Sequence, residues 1–175
     1  MKQWLLVLLL VGGCVSQEQL NGTVTRSRDN FRGTEVIRAE VLMPAVEQNG
    51  RASIVLRGEV GSPGVFLGLE IAGYRNALRS RCSIEAAAGA RVFDLPRTEY
   101  QVGSAGALTG LDPTMVMERF GVVLPLDIAE ALLRNSPRFR LCGSTFESTP
   151  AQAQTFRSFW MQFAATPSAS ASPAP

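Results

Sequence analysis

Arg51-Ala52-Ser53-Ile54-Val55-Leu56-Arg57-Gly58-Glu59-Val60-Gly61-Ser62-Pro63-Gly64-Val65-Phe66-Leu67-Gly68-Leu69-Glu70-Ile71 is the stretch whose pattern decides the fold. Ala52, Ile54, Leu56 and Val60 share one parity, and Arg51, Ser53, Arg57 and Glu59 share the other. Apolar side chains at alternate positions line one face of a strand and leave the other face to water. Gly61 to Gly64 has turn composition, since Gly and Pro supply the backbone angles a reversal needs. Val65, Leu67, Leu69 and Ile71 then line one face of a second strand. Upstream, Thr34 to Met43 alternates in the same way. Glu35, Ile37, Ala39, Val41 and Met43 share one parity, and Arg38 and Glu40 take the other. Glu47-Gln48-Asn49-Gly50 is a loop or hairpin signal. Three strands joined by short turns predict an antiparallel meander.

Downstream, Tyr74 to Arg81 has no clear period. Cys82 to Glu85 and Arg91 to Leu95 read as a hairpin, with Ala86 to Gly89 between them. Thr98 to Val102 continues the sheet after Pro96, and Gly103 to Gly110 is a small-residue loop; Thr114 to Val123 fits a helix capped at Asp112-Pro113 or a strand, and Gly121-Val122-Val123 with mixed parity favours the strand. Pro125 to Asn135 predicts a helix: Pro125 suits the first turn, Asp127 and Glu130 the amino end, Arg134 the carboxyl end. Ile128, Ala129, Leu132 and Leu133 form its apolar stripe. Arg138 to Phe146 reads as one more strand. Thr149-Pro150-Ala151-Gln152 fits a capping box and opens a second helix to about Ala165, whose stripe is Ala153, Phe156, Phe159, Trp160 and Phe163. Strands first, then helix, strand and helix, predict an α+β fold: an antiparallel sheet of about six or seven strands with two helices on one face.

Composition restricts the chemistry. The chain has 17 basic residues, 15 acidic residues and no histidine. Lys2 is the only lysine. Without histidine there is no Ser-His-Asp or Cys-His catalysis and no histidine ligand for zinc or iron. Without lysine after position 2, Schiff-base chemistry is also excluded. Near-balanced charge argues against a nucleic-acid footprint, which needs a clustered basic face. No sequence feature calls for a cofactor or a metal.

The amino terminus gives an address. Met1-Lys2-Gln3-Trp4 is a short charged leader, and Leu5 to Val11 is an apolar run followed by small residues. That is the order of a secretory signal peptide. The run is too short to span a bilayer, which takes about twenty residues. Val11-Gly12-Gly13-Cys14 resembles the lipobox of bacterial lipoproteins: an aliphatic residue, two small residues, then cysteine. The resemblance covers only the first fourteen or so residues. It implies a diacylglyceryl thioether on Cys14, cleavage between Gly13 and Cys14, and acylation (palmitate among the chains) of the new amino terminus. No aspartate follows Cys14; Val15 and Ser16 stand there. By the same resemblance, this implies the outer membrane, facing the periplasm. The expected organisation is a signal peptide over 1–13, a lipidated cysteine and tether over 14–30, a globular domain over 31–165, and a disordered Ser/Ala/Pro tail over 166–175. Structure within the tether is expected no earlier than Thr23-Val24-Thr25.

With Cys14 taken by lipid, Cys82 and Cys142 remain as an even pair in an oxidising compartment. Cys82 shares parity with the inward Ile84, whereas Cys142 has the opposite parity to Phe139 and Leu141. A disulfide or two separately buried thiols both fit, and a bulge at Gly143 would re-aim Cys142. Arg138 and Arg140 alternate on the exposed face of their strand, with Arg134 nearby in sequence. The three form a candidate anion site, for a lipid headgroup or sugar acid; the plainer reading is a solvated face paired with Asp and Glu. Asp94, Glu99 and Tyr100 are the acid–base candidates. The aromatic helix stripe reads as core before it reads as a ligand wall.

These features together predict a membrane-anchored envelope lipoprotein acting as a non-catalytic binding or assembly module. Its partners would be the membrane and an envelope protein. The alternative is a carboxylate-based enzyme acting on an envelope glycan, which needs two carboxylates facing each other across a cleft.

Overall fold

The computed structural model describes residues 21–46, 51–74, 81–104 and 115–166. Cys14 and the rest of the leader, and residues 167–175 of the tail, lie outside the described residues, as does the 47–50 hairpin signal.

The meander forms as its alternation dictates. Strands β2 (Thr34–Pro44), β3 (Arg51–Glu59) and β4 (Gly64–Tyr74) pair antiparallel in sequence order. Ile37, Ala39, Val41 and Met43, then Ala52, Ile54 and Leu56, then Val65, Leu67 and Leu69 are all fully buried on one face. The other face carries ion pairs along and between strands: Arg38 with Glu40 at 3.2 Å, Arg57 with Glu59 at 2.8 Å, Arg119 with Glu70 at 2.6 Å. Such exposed pairs contribute little to stability each, but they keep this face polar.

The sheet is longer than the meander. Strand β1 (Thr23–Asp29) adds to β2, and β8 (Met115–Pro125) and β7 (Glu99–Ser104) add beyond β4, giving the antiparallel order β1-β2-β3-β4-β8-β7. Residues 23–29 fall within the 14–30 tether of the sequence reading, which allows structure from Thr23-Val24-Thr25 onward. They form an edge strand in which only Val24 packs against the core, which is why their sequence is polar. On the open face, Gly68 and Gly121 are paired neighbours. The Phe66 ring lies over both: a Cβ at Gly121 would stand 2.9 Å from Phe66 Cε2. One aromatic thus covers backbone that two glycines leave bare.

Four further strands make a second sheet, which corrects the expectation of a single one. Its order is β10-β9-β5-β6: β5 is Ile84–Ala88, β6 Arg91–Leu95, β9 Arg138–Leu141 and β10 Ser144–Glu147. The expected β5–β6 hairpin forms, but its turn is Gly89-Ala90, with Gly89 at φ 60°. Ala86 and Ala88 are strand residues that face the core. The predicted strand Arg138 to Phe146 is two strands, reversed at Cys142-Gly143 with φ of 53° and 84°. Two consecutive positive φ values give the primed two-residue turn that suits the twist of a hairpin. The sheets meet at one corner, where Ala45 bridges Phe146 and Val46 N–H donates to the Thr145 carbonyl at 2.8 Å.

Helices α1 (Leu126–Arg134) and α2 (Pro150–Ala164) follow the predicted pattern. Both pack on the inner face of the large sheet and on each other, α1 against β4 and β8 and α2 against β1 and β2; α1 also touches β5 of the small sheet. The capping box at α2 is complete: Thr149 N–H donates to Gln152 Oε1 at 2.9 Å, and Gln152 N–H donates to Thr149 Oγ1 at 3.3 Å. Gln152 is itself buried, and its Nε2 donates to the Leu42 carbonyl at 2.9 Å, tying the start of α2 to β2. At the other end of α2, a Cβ on Gly58 would overlap the Phe163 ring. Glycine there lets helix and sheet approach. Phe156 and Phe159 are fully buried, and Phe156 meets Phe139 of β9 edge-on at 6.5 Å. One continuous core therefore joins both sheets and both helices.

Glu35 of β2 lies beside two arginines of β1. The hydrogen bond from Arg26 holds its carboxyl below the ordinary value of 4.5; desolvation opposes this, and the charges of Arg26 and Arg28 add to it. A depressed carboxyl stabilises the fold above its unfolded value, and that contribution is lost as pH falls through the folded value. The pair is exposed, so the effect on stability is small. NMR titration is expected to put the Glu35 midpoint below 4.5 and to return it toward 4.5 in Arg26→Gln. An identical midpoint in both proteins would contradict the geometry.

Candidate functional site

The outer face of the small sheet gathers two of the three arginines singled out in the sequence. Strand pairing sets Thr145, Arg140, Glu85 and Asp94 in one cross-strand row. It sets Glu147, Arg138, Ala87 and Val92 in the next. Arg140 Nε donates to Glu85 Oε2 at 2.9 Å, and its Nη2 bonds the same oxygen. Arg138 Nη1 lies 3.7 Å from Glu147 Oε1. Ala87 is small, so the sheet surface dips to a hollow of about 220 Å³ lined by Glu85, Ala87, Val92, Arg138, Arg140 and Thr145. Val92 is 65% exposed at its rim, on the edge strand β6. An anion entering this hollow has to compete with Glu85 for Arg140 and with Glu147 for Arg138.

Arg134 is not part of it. It sits in the last turn of α1, pairs with Glu130 at 3.0 Å, and lines a different hollow on the helices with Gln154, Arg157 and Met161. Sequence proximity to Arg138 misled because the chain leaves the helix at Asn135 and enters the sheet beyond Pro137.

Cys82 and Cys142 lie at disulfide distance, with Cα atoms 5.2 Å apart. Cys142 occupies the turn between β9 and β10 and is exposed, so strand parity does not govern it and two separately buried thiols do not describe the pair. Cys82 packs partly against the core just before β5. The link ties the turn at the end of β9 to the start of its neighbour β5 and braces the arginine face.

The acid–base candidates scatter. Asp94 is on the outer face of β6, while Glu99 and Tyr100, being consecutive on β7, point to opposite faces. Tyr100 points inward, and there it meets a carboxylate that the sequence reading missed. Glu118 of β8 is fully buried, and Tyr100 Oη donates to its Oε1 at 2.8 Å. The signal was present: Val116, Glu118, Phe120 and Val122 share one parity, which puts an acid among core residues. The Arg97 guanidinium lies 5.2 Å from the Tyr100 ring centre. Tyr100→Phe removes one donor from a buried carboxylate, and the expected loss is about 1–3 kcal/mol. Urea unfolding measures it, and a change within about 0.5 kcal/mol would show that the bond contributes nothing net.

A third hollow, about 420 Å³, opens on the outer face of the large sheet. Its lining includes Arg57, Glu59, Phe66, Glu99 and Val123. Two carboxylates share it, but Glu59 Oε1 already accepts from Arg57 Nη2. The aromatic stripe of α2 is core: Phe156 and Phe159 are fully buried, Trp160 is 6% exposed and Phe163 8%. Among the described residues, no group of three His, Cys, Asp or Glu side chains could hold a metal ion, and no helix is long and apolar enough to cross a membrane.

No family model, curated protein or solved structure matches this chain. The functional reading therefore rests on the residues themselves.

Proposed function

We propose that this chain is a lipid-anchored envelope protein whose domain works as a non-catalytic binding or assembly module. The observation that carries the proposal is Val11-Gly12-Gly13-Cys14. It implies a mature chain that begins at an acylated Cys14 and sits in the outer membrane facing the periplasm. Two or more acyl chains give stable membrane attachment, where one is marginal. Residues 15–20 can span roughly 20 Å when extended. A domain starting at β1 is then held close to the bilayer by its first strand.

The outer face of the small sheet is the proposed partner surface. It combines paired charges, an exposed valine and an open strand edge at β6, features that suit recognition of an extended peptide. A photocrosslinker at Val92, in the lipidated protein in native membranes, is expected to give a discrete protein adduct that Arg140→Ala diminishes. No adduct, together with normal envelope integrity in cells lacking the chain, would count against the proposal.

One observation favours a second reading. Glu59 and Glu99 line the same hollow, as a carboxylate glycosidase requires. That reading predicts envelope-glycan cleavage that Glu99→Gln abolishes. An equal absence of cleavage by wild type and variant disposes of it.

A further inference from the structure

Phe31 stands at the tip of the β1–β2 hairpin and is 98% exposed. No other large apolar side chain in this hairpin is comparably open; among the described residues the other exposed ones, Val46, Val92, Val102, Val123, Leu126 and Met161, lie elsewhere. The tip is a defined turn. Asp29 Oδ1 accepts from Phe31 N–H at 2.9 Å and from Arg32 N–H at 3.1 Å, and Gly33 N–H donates to the Asp29 carbonyl at 2.7 Å. Gly33 is at φ 70°, a conformation open to glycine. The turn therefore uses its acidic side chain internally and presents the aromatic outward.

Cations surround it. Arg28 precedes the turn and Arg32 follows Phe31, and Arg26 lies further down β1. Glu35 stands directly opposite Arg28 and is bonded by Arg26. The nearest carboxylate to Arg32 is Glu59 at 3.9 Å, and Glu59 is held more closely by Arg57. Arg26 is thus committed to Glu35, which leaves Arg28 and the loosely held Arg32 as the cations flanking the tip.

The hairpin also lies next to the tether. Thr155 Oγ1 of α2 donates to the Asn21 carbonyl at 2.9 Å, which fixes where the chain enters the fold. From there β1 runs roughly 20 Å to the tip. Residues 15–20, between Cys14 and that point, reach about as far, so a domain lying along β1 sets both the anchor and Phe31 on one bilayer surface.

We propose that the β1 edge and the Phe31 tip form a second membrane contact, with Phe31 inserted at the interface and Arg28 and Arg32 on anionic phospholipid headgroups. This rests on the lipid-anchor reading above. A bilayer fits better than a protein here. A lone aromatic buries about 150–250 Å², far below the roughly 800 Å² per partner of a stable protein interface. At a membrane already reached through acyl chains, one aromatic flanked by basic residues suffices to orient a domain.

The test uses lipidated full-length mature protein carrying Phe31→Cys. Cys14 is acylated and Cys82 and Cys142 are paired, so an environment-sensitive dye labels only the new thiol. The protein is reconstituted into phosphatidylethanolamine vesicles with about one quarter phosphatidylglycerol. The expected result is a blue shift of the dye and quenching by shallow brominated lipids. Both are weaker when phosphatidylcholine replaces phosphatidylglycerol, and weaker when Arg28→Gln and Arg32→Gln are added. A dye at Gln101→Cys, exposed on β7 at the opposite edge of the sheet from β1, should stay unshifted. An unshifted dye at position 31 on acylated protein overturns the inference and leaves the tip to water or to a protein. The acyl mass is read on the same sample; its absence sinks the anchor reading and this one with it.

Discussion

Phe156→Ala is expected to destabilise the domain by about 3–5 kcal/mol, the largest effect of any single substitution considered. Phe156 is fully buried on α2 and meets Phe139 of the small sheet edge-on. Its removal deletes a large apolar surface and leaves a cavity where the two sheets share one core, and packed neighbours relax into such a space only in part. A domain of this size is stable by about 5–15 kcal/mol in all. The melting temperature should fall by about 10 °C. A decrease under about 1 kcal/mol would mean that α2 and β9 are not packed as described.

Loss of the Cys82–Cys142 link is expected to cost about 2–4 kcal/mol. The link spans 60 residues of sequence, and closing a loop of that length restricts the unfolded chain. Two effects have to be separated, because Cys142 also sits at positive φ in its turn. Cys82→Ala with Cys142→Asn does so: Asn-Gly is the preferred pair for this turn, so the hairpin keeps its local preference while the crosslink goes. Reduction of the wild-type protein should lower the urea midpoint by a similar amount. A double variant as stable as the oxidised wild type would show that the crosslink adds nothing to folding.

Much of the fold was legible because alternation and helical periodicity are local properties. The meander strands from Thr34 to Ile71 and both helices follow from side-chain spacing alone, whereas the segment from Thr114 to Val123 fits a strand or a helix until its pairing with β4 and β7 is seen. The capping box at Thr149 and Gln152 was readable for the same reason. Partition into two sheets was not, because pairing is non-local. The chain leaves the small sheet after β6, at Pro96, and β7 joins β8 of the large sheet; nothing in the composition of Glu99 to Ser104 names that partner. Cys142-Gly143 carries only half of a hairpin signature. Gly143 announces a turn, but cysteine is an unusual residue at positive φ, so two short strands read as one. β1 reads as tether because an edge strand with one packed side chain has no apolar period.

The candidate sites divide similarly. Arg138 and Arg140 came together because residues two apart on a strand share a face. Arg134 did not, since a helix end and a chain reversal intervene. The Tyr100–Glu118 bond joins residues 18 positions apart through strand pairing. Phe31 carries no chemical signature in the sequence, because its significance comes from exposure, which sequence does not report.

Everything proposed about location depends on Cys14. Intact-mass spectrometry of the mature chain extracted from membranes tests it most directly. The expected result is a chain beginning at Cys14, heavier than its polypeptide by a diacylglyceryl group and an amide-linked acyl chain, and unprocessed precursor in Cys14→Ser. An unmodified mature chain, or equal acylation in Cys14→Ser, would contradict it.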